Sequence, residues 1–245
     1  MTAILLTGDF HYGFDEYTHD VLDSFLTDIS FEPFDIMIIA GDVISHLQSQ
    51  WPDILGMIRR YINQPILIVL GNHDYWDKKR HWDFFRIRSK QLKLFKDYNI
   101  HYLENDGPYE TDDLIIYGFD GWYGSGFPPS ADCYHISKRI EGVQFNDWFY
   151  YKARNKLDSI PEKGNKRQIV VTHFEPNDQP MGASTQWLDT LKDKCDVLCT
   201  GHTHRKNDFM HNNMRVLNAG SEYNDPRLMI FKEGEKQEVD NHDRN

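Results

Sequence analysis

Continuous apolar runs alternate with helically spaced apolar residues along the first part of the chain. Residues 3–6, 36–40 and 66–70 are apolar throughout, which is typical of strands buried on both faces. Between them, apolar residues recur at helical spacing in residues 21–29 and 54–62. A glycine closely follows each run, so the backbone can turn sharply where the strand ends. The pattern predicts strand–helix repeats and a parallel or mixed sheet covered on both faces.

The rest of the chain continues this alternation with longer connections. Helices are predicted for residues 84–95 and 140–157. Further strands are predicted for residues 100–103, 114–117, 168–171, 197–199, 214–217 and 227–231. Residues 118–129 are rich in glycine and proline, which predicts a loop. Since no internal boundary is evident, we expect one domain over residues 1–232 and a polar C-terminal tail over residues 233–245.

The composition indicates a globular protein, and we expect it to be soluble and cytoplasmic. Hydrophobic residues make up 40% of the 245 residues, and no apolar run approaches membrane-spanning length. The formal net charge of −11 argues against binding of long nucleic acid through a basic surface, although bound cations can add positive charge locally. The three cysteines form no cluster with metal-binding spacing, and we expect them to be reduced.

Five segments place metal-binding side chains at the ends of predicted strands. They supply two carboxylates, one amide oxygen and four imidazoles: Asp9, His11, Asp42, Asn72, His173, His202 and His204. Successive segments are about one βαβ unit apart, with 31 residues from His11 to Asp42 and 29 from His173 to His202. Oxygen donors mixed with imidazoles suit two divalent transition-metal ions side by side. Any one of these residues alone would be an ordinary structural group, but the full set at this spacing indicates a hydrolytic enzyme.

The ordered motifs Asp-x-His, Gly-Asp, Gly-Asn-His-Asp, His and Gly-His-x-His resemble those of the calcineurin-like metallophosphoesterase superfamily. The resemblance runs from Asp9 to His204. It implies an α/β fold, a four-layer α/β/β/α sandwich with two mixed β-sheets flanked by helices, and a dinuclear site at the sheet edges. It also implies two metal positions that share Asp42. One would take Asp9, His11, Asp42 and His204, and the other Asp42, Asn72, His173 and His202.

His73 and Asp74, which follow Asn72 directly, are the candidate catalytic residues. By the resemblance, His73 faces the substrate, where it would contact the phosphoryl group or protonate the leaving oxygen. Asp74 either orients an imidazole or holds the turn, and the sequence does not choose between these roles. Asn218 is a candidate partner of a ligand histidine, with a plain turn as the alternative.

The implied cofactors are two divalent metal ions. Manganese is the first candidate, with iron or zinc as alternatives, because nitrogen and oxygen donors do not choose among these ions. Two cations roughly 3.5–4 Å apart can lower the pKa of a shared water and hold the bridging hydroxide in line with phosphorus. The predicted function is therefore metal-dependent hydrolysis of a phosphate ester.

The second motif departs from that of the superfamily's protein serine/threonine phosphatases, which extend it to Gly-Asp-x-x-Asp-Arg-Gly. Ser45 and His46 stand in place of that aspartate and arginine, which weakens the case for a phosphoprotein substrate. His46 is a candidate substrate-binding residue, or is simply solvated. We expect a small phosphate ester, nucleotides included, and favour a phosphodiesterase or nucleotide-type phosphohydrolase. The alternatives are a phosphomonoesterase or protein phosphatase, and a non-catalytic binding scaffold with the same fold.

The glycine- and proline-rich loop and the residues after it are the expected determinants of specificity. Trp122, Tyr123 and Phe127 could stack on a nucleobase or form a wall of the substrate cleft, or they could pack over the edge of the core. Lys138 and Arg139 could contact a phosphate or be solvated.

Overall fold

Two β-sheets lie face to face, with helices covering their outer faces. The computed structural model describes residues 2–16, 18–76, 84–122, 139–140, 143–175 and 185–232. One apolar core fills the space between the sheets, and a second packs the sheets against the helices. The expected α/β fold with two mixed sheets flanked by helices is confirmed.

The first sheet carries the strands predicted in the first part of the chain. Its strands are β1 (Ala3–Thr7), β2 (Ile36–Ala40), β3 (Ile66–Val69), β4 (Ile100–Tyr102) and β13 (Met229–Lys232), in the order β13-β1-β2-β3-β4. Strands β1 to β4 are parallel, and β13 pairs antiparallel with β1. Ile4 and Leu6 of β1 belong to the core between the sheets, whereas Leu5 packs with the helical layer. The strand is apolar throughout because both of its faces are buried.

The second sheet has parallel central strands and antiparallel edge strands. Its strands are β5 (Tyr109–Glu110), β6 (Leu114–Phe119), β9 (Arg167–Thr172), β10 (Val197–Thr200), β11 (Asn207–His211) and β12 (Met214–Asn218). They lie in the order β11-β12-β10-β9-β6-β5. Val171, Cys199 and Leu217 face the first sheet and complete the core between the two. The carboxyl ends of β9 and β10 therefore lie in one sheet, and those of β1 to β3 in the other.

Helices fill the connections between these strands. The described α-helices are α1 (Thr18–Ile29), α2 (Trp51–Tyr61), α3 (Phe84–Asp97), α4 (Leu103–Asp106), α5 (Phe145–Ser159) and α6 (Thr185–Leu191). The helix predicted over residues 140–157 begins instead at Phe145. It is preceded by a short hairpin of β7 (Arg139–Ile140) and β8 (Val143–Gln144), whose pairing occupies the backbone that the helix would have used. None of the described helices is long and apolar enough to cross a bilayer.

The segment expected to set specificity is described only in part. Trp122 is fully buried and its ring stacks on Phe149 with centroids 4.3 Å apart, so this tryptophan packs in the core rather than lining a cleft. Tyr123, Phe127, Lys138 and the side chain of Arg139 lie outside the described residues, as do residues 233–245. The boundary at residue 232 therefore stays a prediction. Cys195 and Cys199 are buried and form no disulfide among the described residues, and the reduced state of the cysteines stays a prediction.

Candidate metal centre

The predicted ligands converge where the carboxyl ends of strands from both sheets meet. Asp9 and His11 follow β1, Asp42 follows β2, Asn72 follows β3, His173 follows β9, and His202 and His204 follow β10. Three groups of three residues bring their donor atoms within 4.8 Å of one another. These groups are Asp9, His11 and His204; Asp42, His173 and His202; and His11, Asp42 and His73. The fold thus brings together six of the predicted ligands and His73.

Asp42 and Asn72 connect the members of this centre. The Oδ2 atom of Asp42 lies 3.8 Å from His11 Nε2 and 3.4 Å from His173 Nε2, so a single carboxylate oxygen reaches both ligand groups. The Oδ1 atom of Asn72 lies 3.3 Å from the same His173 nitrogen, which adds the seventh predicted ligand. Of the seven predicted ligands, all except His204 are buried. Donor atoms held this close in a buried site need a compensating charge.

The backbone at the ligands is held in an uncommon conformation. Eight described non-glycine residues have positive φ, and five of them are predicted ligands. The five are Asp9 (φ 52°), His11 (45°), Asp42 (49°), His202 (69°) and His204 (56°). Left-handed backbone costs an L-residue about 1–2 kcal/mol, so its concentration here indicates that the surrounding fold enforces the site geometry.

Glycines beside the ligands allow close approach of neighbouring strands. A Cβ atom on Gly71 would lie 2.1 Å from Asp42 Oδ1, and one on Gly41 would lie 2.6 Å from His173 Nδ1. Gly41 also has a φ of +88°, which disfavours any side chain there. The glycines that end the predicted strands therefore make room for the ligand side chains as well as for the turns.

Backbone carbonyls fix which ring nitrogen faces the centre in two histidines. His173 Nδ1 lies 2.7 Å from the Ala40 carbonyl oxygen, and His73 Nδ1 lies 2.8 Å from that of Ser45. Because a carbonyl oxygen only accepts, each Nδ1 carries the proton and donates it. The Nε2 atom of each ring is then the one that faces the centre, and in His173 it lies 3.3 Å from Asn72 Oδ1 and 3.4 Å from Asp42 Oδ2.

Burial and mutual contact shift the ionisation of the centre. Burial raises the pKa of Asp9 to about 7 and lowers that of His202 to about 3. Burial opposes the other two shifts: His173 and His73 hold the pKa of Asp42 well below its usual range, while Asp42 and Asp9 raise that of His173 to about 9. The carboxylates therefore favour positive charge in the centre. A protonated imidazole or a divalent cation would supply that charge.

The donor set fits divalent cations. Two pairs of imidazole nitrogens face each other, His11 Nε2 with His204 Nε2 at 3.3 Å and His173 Nε2 with His202 Nδ1 at 3.2 Å. Neutral imidazole nitrogens and carboxylate oxygens that converge in this way are the donors that transition metals bind. The residues present therefore offer the donors that divalent cations require.

His73 lies beside the predicted ligands rather than behind them. Its ring stacks on Trp76 with centroids 3.7 Å apart and meets His11 edge-on at 4.5 Å. Its backbone N–H donates to Asp42 Oδ1 at 2.9 Å, which ties this residue to the central carboxylate. His73 is partly exposed, so its ring can be reached by a substrate.

Asp74 contacts the backbone of the turns that carry the ligands. Its Oδ1 accepts from the N–H groups of Val43 and Ile44 at 2.9 and 3.1 Å, and its Oδ2 from that of Gly71 at 2.9 Å. These bonds favour the turn-holding role, and in the described part of the chain the carboxylate bonds only to backbone amides. The catalytic role predicted for Asp74 has no support in this geometry.

The segment after Asp42 orients His73 in a way that side chains alone do not reveal. The Ser45 carbonyl, rather than its hydroxyl, binds the His73 ring. The Ser45 hydroxyl instead lies 2.9 Å from His46 Nδ1, and His46 is half-buried. Contact of His46 with substrate stays a prediction. The acceptor that orients the His73 ring is thus a main-chain carbonyl. Any residue type at position 45 would offer the same acceptor, so the sequence does not reveal this contact.

Asn218 holds the turn that carries two predicted ligands. Its Nδ2 donates to the Gly201 carbonyl at 2.8 Å and to Thr203 Oγ1 at 3.2 Å, and its Oδ1 accepts from the Gly220 N–H at 2.8 Å. Asn218 therefore supports the Gly-His-x-His segment through its backbone. The bonds favour the turn interpretation over a direct partnership with a histidine ring.

Asp120, which the sequence analysis missed, joins the two sheets behind the centre. Its Oδ1 accepts from the Leu70 N–H at 2.8 Å, and its carbonyl accepts from the His173 N–H at 3.2 Å. It follows β6 and precedes Gly121, as Asp42 follows β2 beside Gly41, so the strand-end pattern could have identified it. Asp120 therefore contacts Leu70, which follows β3, and the predicted ligand His173, which follows β9.

A buried ionic cluster surrounds the Asp120 carboxylate. Tyr75 and Tyr102 donate hydroxyl hydrogen bonds to its Oδ2, the second at 2.6 Å. Arg88 lies 3.5 Å from Glu104 Oε1, and Lys152 forms ion pairs with Glu104 and with Asp120. Two buried carboxylates are thus paired with two half-buried cations. The cluster connects α3, α4 and α5 to the turn over residues 72–75.

Comparisons with known proteins relate the chain to one family. The family model described as calcineurin-like phosphoesterase matches residues 2–206. The DNA double-strand break repair protein Mre11 of Haloferax volcanii is 27% identical over 133 residues, which cover 49% of this chain and only 28% of that relative. The matched region is therefore well under two thirds of the relative's length.

Solved structures share the fold at low sequence identity. The phosphopantetheinyl hydrolase of Mycobacterium tuberculosis has a TM-score of 0.68 at 14% identity, covering 93% of this chain and 95% of that one. A dimetal phosphatase from Danio rerio has a TM-score of 0.54 at 11% identity, covering 89% and 86%. At these identities the likeness concerns the fold alone.

Proposed function

This chain belongs to the calcineurin-like phosphoesterase family, and we propose that it is a dinuclear metal-dependent hydrolase of a small phosphate ester. The observation that carries the proposal is the position of Asp42 Oδ2, within 3.8 Å of His11 Nε2 and 3.4 Å of His173 Nε2. One carboxylate oxygen between two sets of imidazoles is the arrangement that a pair of adjacent cations requires.

The proposed ligand sets follow the grouping of the side chains. One ion would be held by Asp9, His11, Asp42 and His204, and the other by Asp42, Asn72, His173 and His202. Two bound ions, with manganese as the first candidate and iron or zinc as alternatives, would activate water and neutralise charge on the phosphoryl oxygens. The protein's part is to fix the donors, which the left-handed backbone and the close glycines support.

His73 is the proposed acid of the reaction. Its Nδ1 donates to the Ser45 carbonyl, so proton exchange with the substrate is left to Nε2. A protonated ring would donate from Nε2 to the leaving oxygen or to a phosphoryl oxygen. Stacking against Trp76 holds the ring in this orientation. Asp74 is proposed to support the turn and to take no part in proton transfer.

We favour a phosphodiester or nucleotide-type substrate. Ser45 and His46 replace the acidic and basic residues of the protein phosphatase motif, which argues against a phosphoprotein. The similarity to a DNA repair protein makes nucleic-acid ends a second candidate, whereas the net charge of −11 opposes binding of long nucleic acid. The phosphomonoesterase alternative stays open to experiment.

A hydrolysis assay tests the proposal. The purified protein is incubated with bis-p-nitrophenyl phosphate, p-nitrophenyl phosphate, mononucleotides and short oligonucleotides, with and without added manganese. We expect manganese-dependent hydrolysis with preference for the diester. Asp42→Asn should prevent metal loading and lower activity by about 100-fold or more, because one carboxylate would serve both ions. Asp53→Asn, an exposed carboxylate on α2, is the matched control.

The scaffold alternative makes the opposite prediction. It predicts that no metal is bound on purification and that every ester in the panel is stable with or without manganese. Preference for p-nitrophenyl phosphate would instead keep the metal-dependent mechanism and reverse the choice of substrate class.

A further inference from the structure

Two exposed aromatic rings lie next to each other at the edge of the metal centre. Phe14 and Tyr223 are 49% and 42% exposed, and their ring centroids are 4.5 Å apart. The Tyr223 ring lies nearly parallel to those of His11 and His204, with centroids 4.3 and 5.3 Å away. Large apolar rings are usually buried, and an exposed pair that contacts a buried polar site marks a binding surface.

The pair is held in place from both sides. Tyr223 lies in a tight turn closed by two backbone hydrogen bonds between Glu222 and Asp225, of 3.0 and 2.9 Å. The neighbouring Asn224 donates to Asp15 Oδ2 at 2.6 Å, which joins this turn to the segment carrying Phe14. The two rings therefore keep their positions without a ligand, so little freedom is lost when one binds.

Hydrogen bonds also hold the segment that carries Phe14. The Phe14 N–H donates to the carbonyl oxygen of His11 at 2.9 Å, so its position depends on a predicted ligand. Asp15 and Thr18 exchange hydrogen bonds at the start of α1, with Thr18 N–H donating to Asp15 Oδ1 at 3.1 Å. This reciprocal cap anchors the segment to the helix.

We propose that Phe14 and Tyr223 form a stacking platform for a planar aromatic group attached to the scissile phosphate, as in a nucleoside monophosphate or its diester. The inference rests on the proposed function and names the substrate class for that site. An aromatic face stacks on any nucleobase with little sequence preference, and the Tyr223–His11 contact brings such a base beside the reacting phosphate.

The charges beside the platform favour a substrate with one phosphate. Asp15 and Glu222 are adjacent in sequence to the two rings, and Arg227 is paired with Glu222 at 3.7 Å and with Asp225. Carboxylates at this edge repel further phosphate groups. The platform thus suits a neutral base rather than a polyphosphate chain.

Matched substrates test the platform without assuming monoester or diester chemistry. The diester pair is thymidine 5′-(p-nitrophenyl phosphate) against methyl p-nitrophenyl phosphate, which release the same leaving group. The monoester pair is adenosine 5′-monophosphate against ribose 5-phosphate. We expect kcat/KM to favour the base-bearing member by on the order of tenfold. Tyr223→Ala and, independently, Phe14→Ala should reduce this ratio to near one, and Tyr223→Phe should preserve it.

The controls separate this inference from the function on which it rests. Tyr151→Ala removes an exposed ring on α5 and should leave the ratio at its wild-type value. Calorimetric titration of adenosine 5′-monophosphate against ribose 5-phosphate gives the same comparison without turnover. No preference for the base in the wild type, or a preference that survives both alanine variants, overturns the platform. Failure to hydrolyse any ester overturns the proposed function, and the titration still decides on the platform.

Discussion

The His73 ring has the clearest individual role that the geometry supports. A main-chain acceptor holds its Nδ1, Trp76 covers one face, and its backbone N–H is bound to the central carboxylate. With Nδ1 held by the Ser45 carbonyl, Nε2 is the ring nitrogen left for contacts at the centre. The donor atoms of His73 also lie close to those of His11 and Asp42. Measuring the metal content of a His73 variant therefore decides whether this residue is the acid or a ligand.

We predict that His73→Ala lowers kcat by about 100- to 10,000-fold while metal content stays near that of the wild type, because general acid catalysis is lost and the ligands are retained. Steady-state kinetics and elemental analysis of the same preparation measure the two quantities. His19→Ala, on the exposed face of α1, is the control. Loss of an ion from His73→Ala would identify His73 as a ligand instead.

Single residues differ in how far the sequence could predict them. The convergence of the seven predicted ligands could be foreseen because metal-binding side chains at strand ends recur at βαβ spacing. The Ser45 carbonyl was not, since any residue type offers the same acceptor. Tyr223 was also missed, because an aromatic residue in a polar turn is unremarkable until the fold brings it over His11. The positive φ angles of the predicted ligands were also not predictable, because they follow from the packing of strand ends and not from residue type.

At the scale of elements, the centre depends on how closely the strand ends approach one another. Gly71 at the end of β3 leaves no space for a side chain beside Asp42. Strand positions were predictable because runs buried on both faces are apolar throughout. The hairpin before α5 and the edge strand β11 were missed, since both are short or largely exposed and carry no such pattern.

We predict that Gly71→Ala reduces metal content and kcat/KM by about tenfold or more, because the new Cβ would lie 2.1 Å from Asp42 Oδ1 and displace the carboxylate. Gly164→Ala is a matched control, since nothing lies within 4 Å of a Cβ at that position. Elemental analysis and kinetics of both variants provide the comparison. Full metal loading in Gly71→Ala would mean that the Asp42 side chain moves without consequence.

The buried ionic cluster connects helices to the ligand-bearing strands, and its charges balance only as a set. We predict that Lys152→Met lowers the free energy of unfolding by about 3–5 kcal/mol, because Glu104 is left buried with less compensation. The double variant Lys152→Met/Glu104→Gln should recover part of this loss. Lys166→Met, which breaks an exposed pair with Glu110, should cost about 0–1 kcal/mol.

Urea unfolding of these variants measures the difference. Equal losses for Lys152→Met and Lys166→Met would show that the cluster adds no more than a surface ion pair. A double variant less stable than the single one would show that the Glu104 carboxylate is satisfied without Lys152.

At the scale of the whole molecule, the predicted ligands lie where the two sheets meet, beside the polar contacts of Asp120 and the apolar core between the sheets. Four predicted ligands follow strands of the first sheet and three follow strands of the second, so bound ions would bridge the two. The overall architecture was predictable from the resemblance and the strand pattern. The position of Tyr223 beside His11 and the ionic cluster around Asp120 were not, because both depend on contacts between segments far apart in sequence.

We predict that chelation of bound metal lowers Tm by about 5–10 °C and that added manganese restores it, because ions that bind only the folded state stabilise it. Differential scanning calorimetry before and after chelation measures the change. The Tm of Asp42→Asn should respond to neither treatment. An unchanged Tm after verified metal removal would mean that the ions do not brace the two sheets.

The antiparallel pairing of β13 with β1 places Lys232 opposite Ala3, at the edge of the sheet that begins the chain. During synthesis, β1 therefore lacks one of its two neighbouring strands until β13 has left the ribosome. The histidines at positions 202 and 204 also emerge late, long after Asp9 and His11. A nascent chain consequently cannot assemble the full set of predicted ligands until residue 204 has left the ribosome.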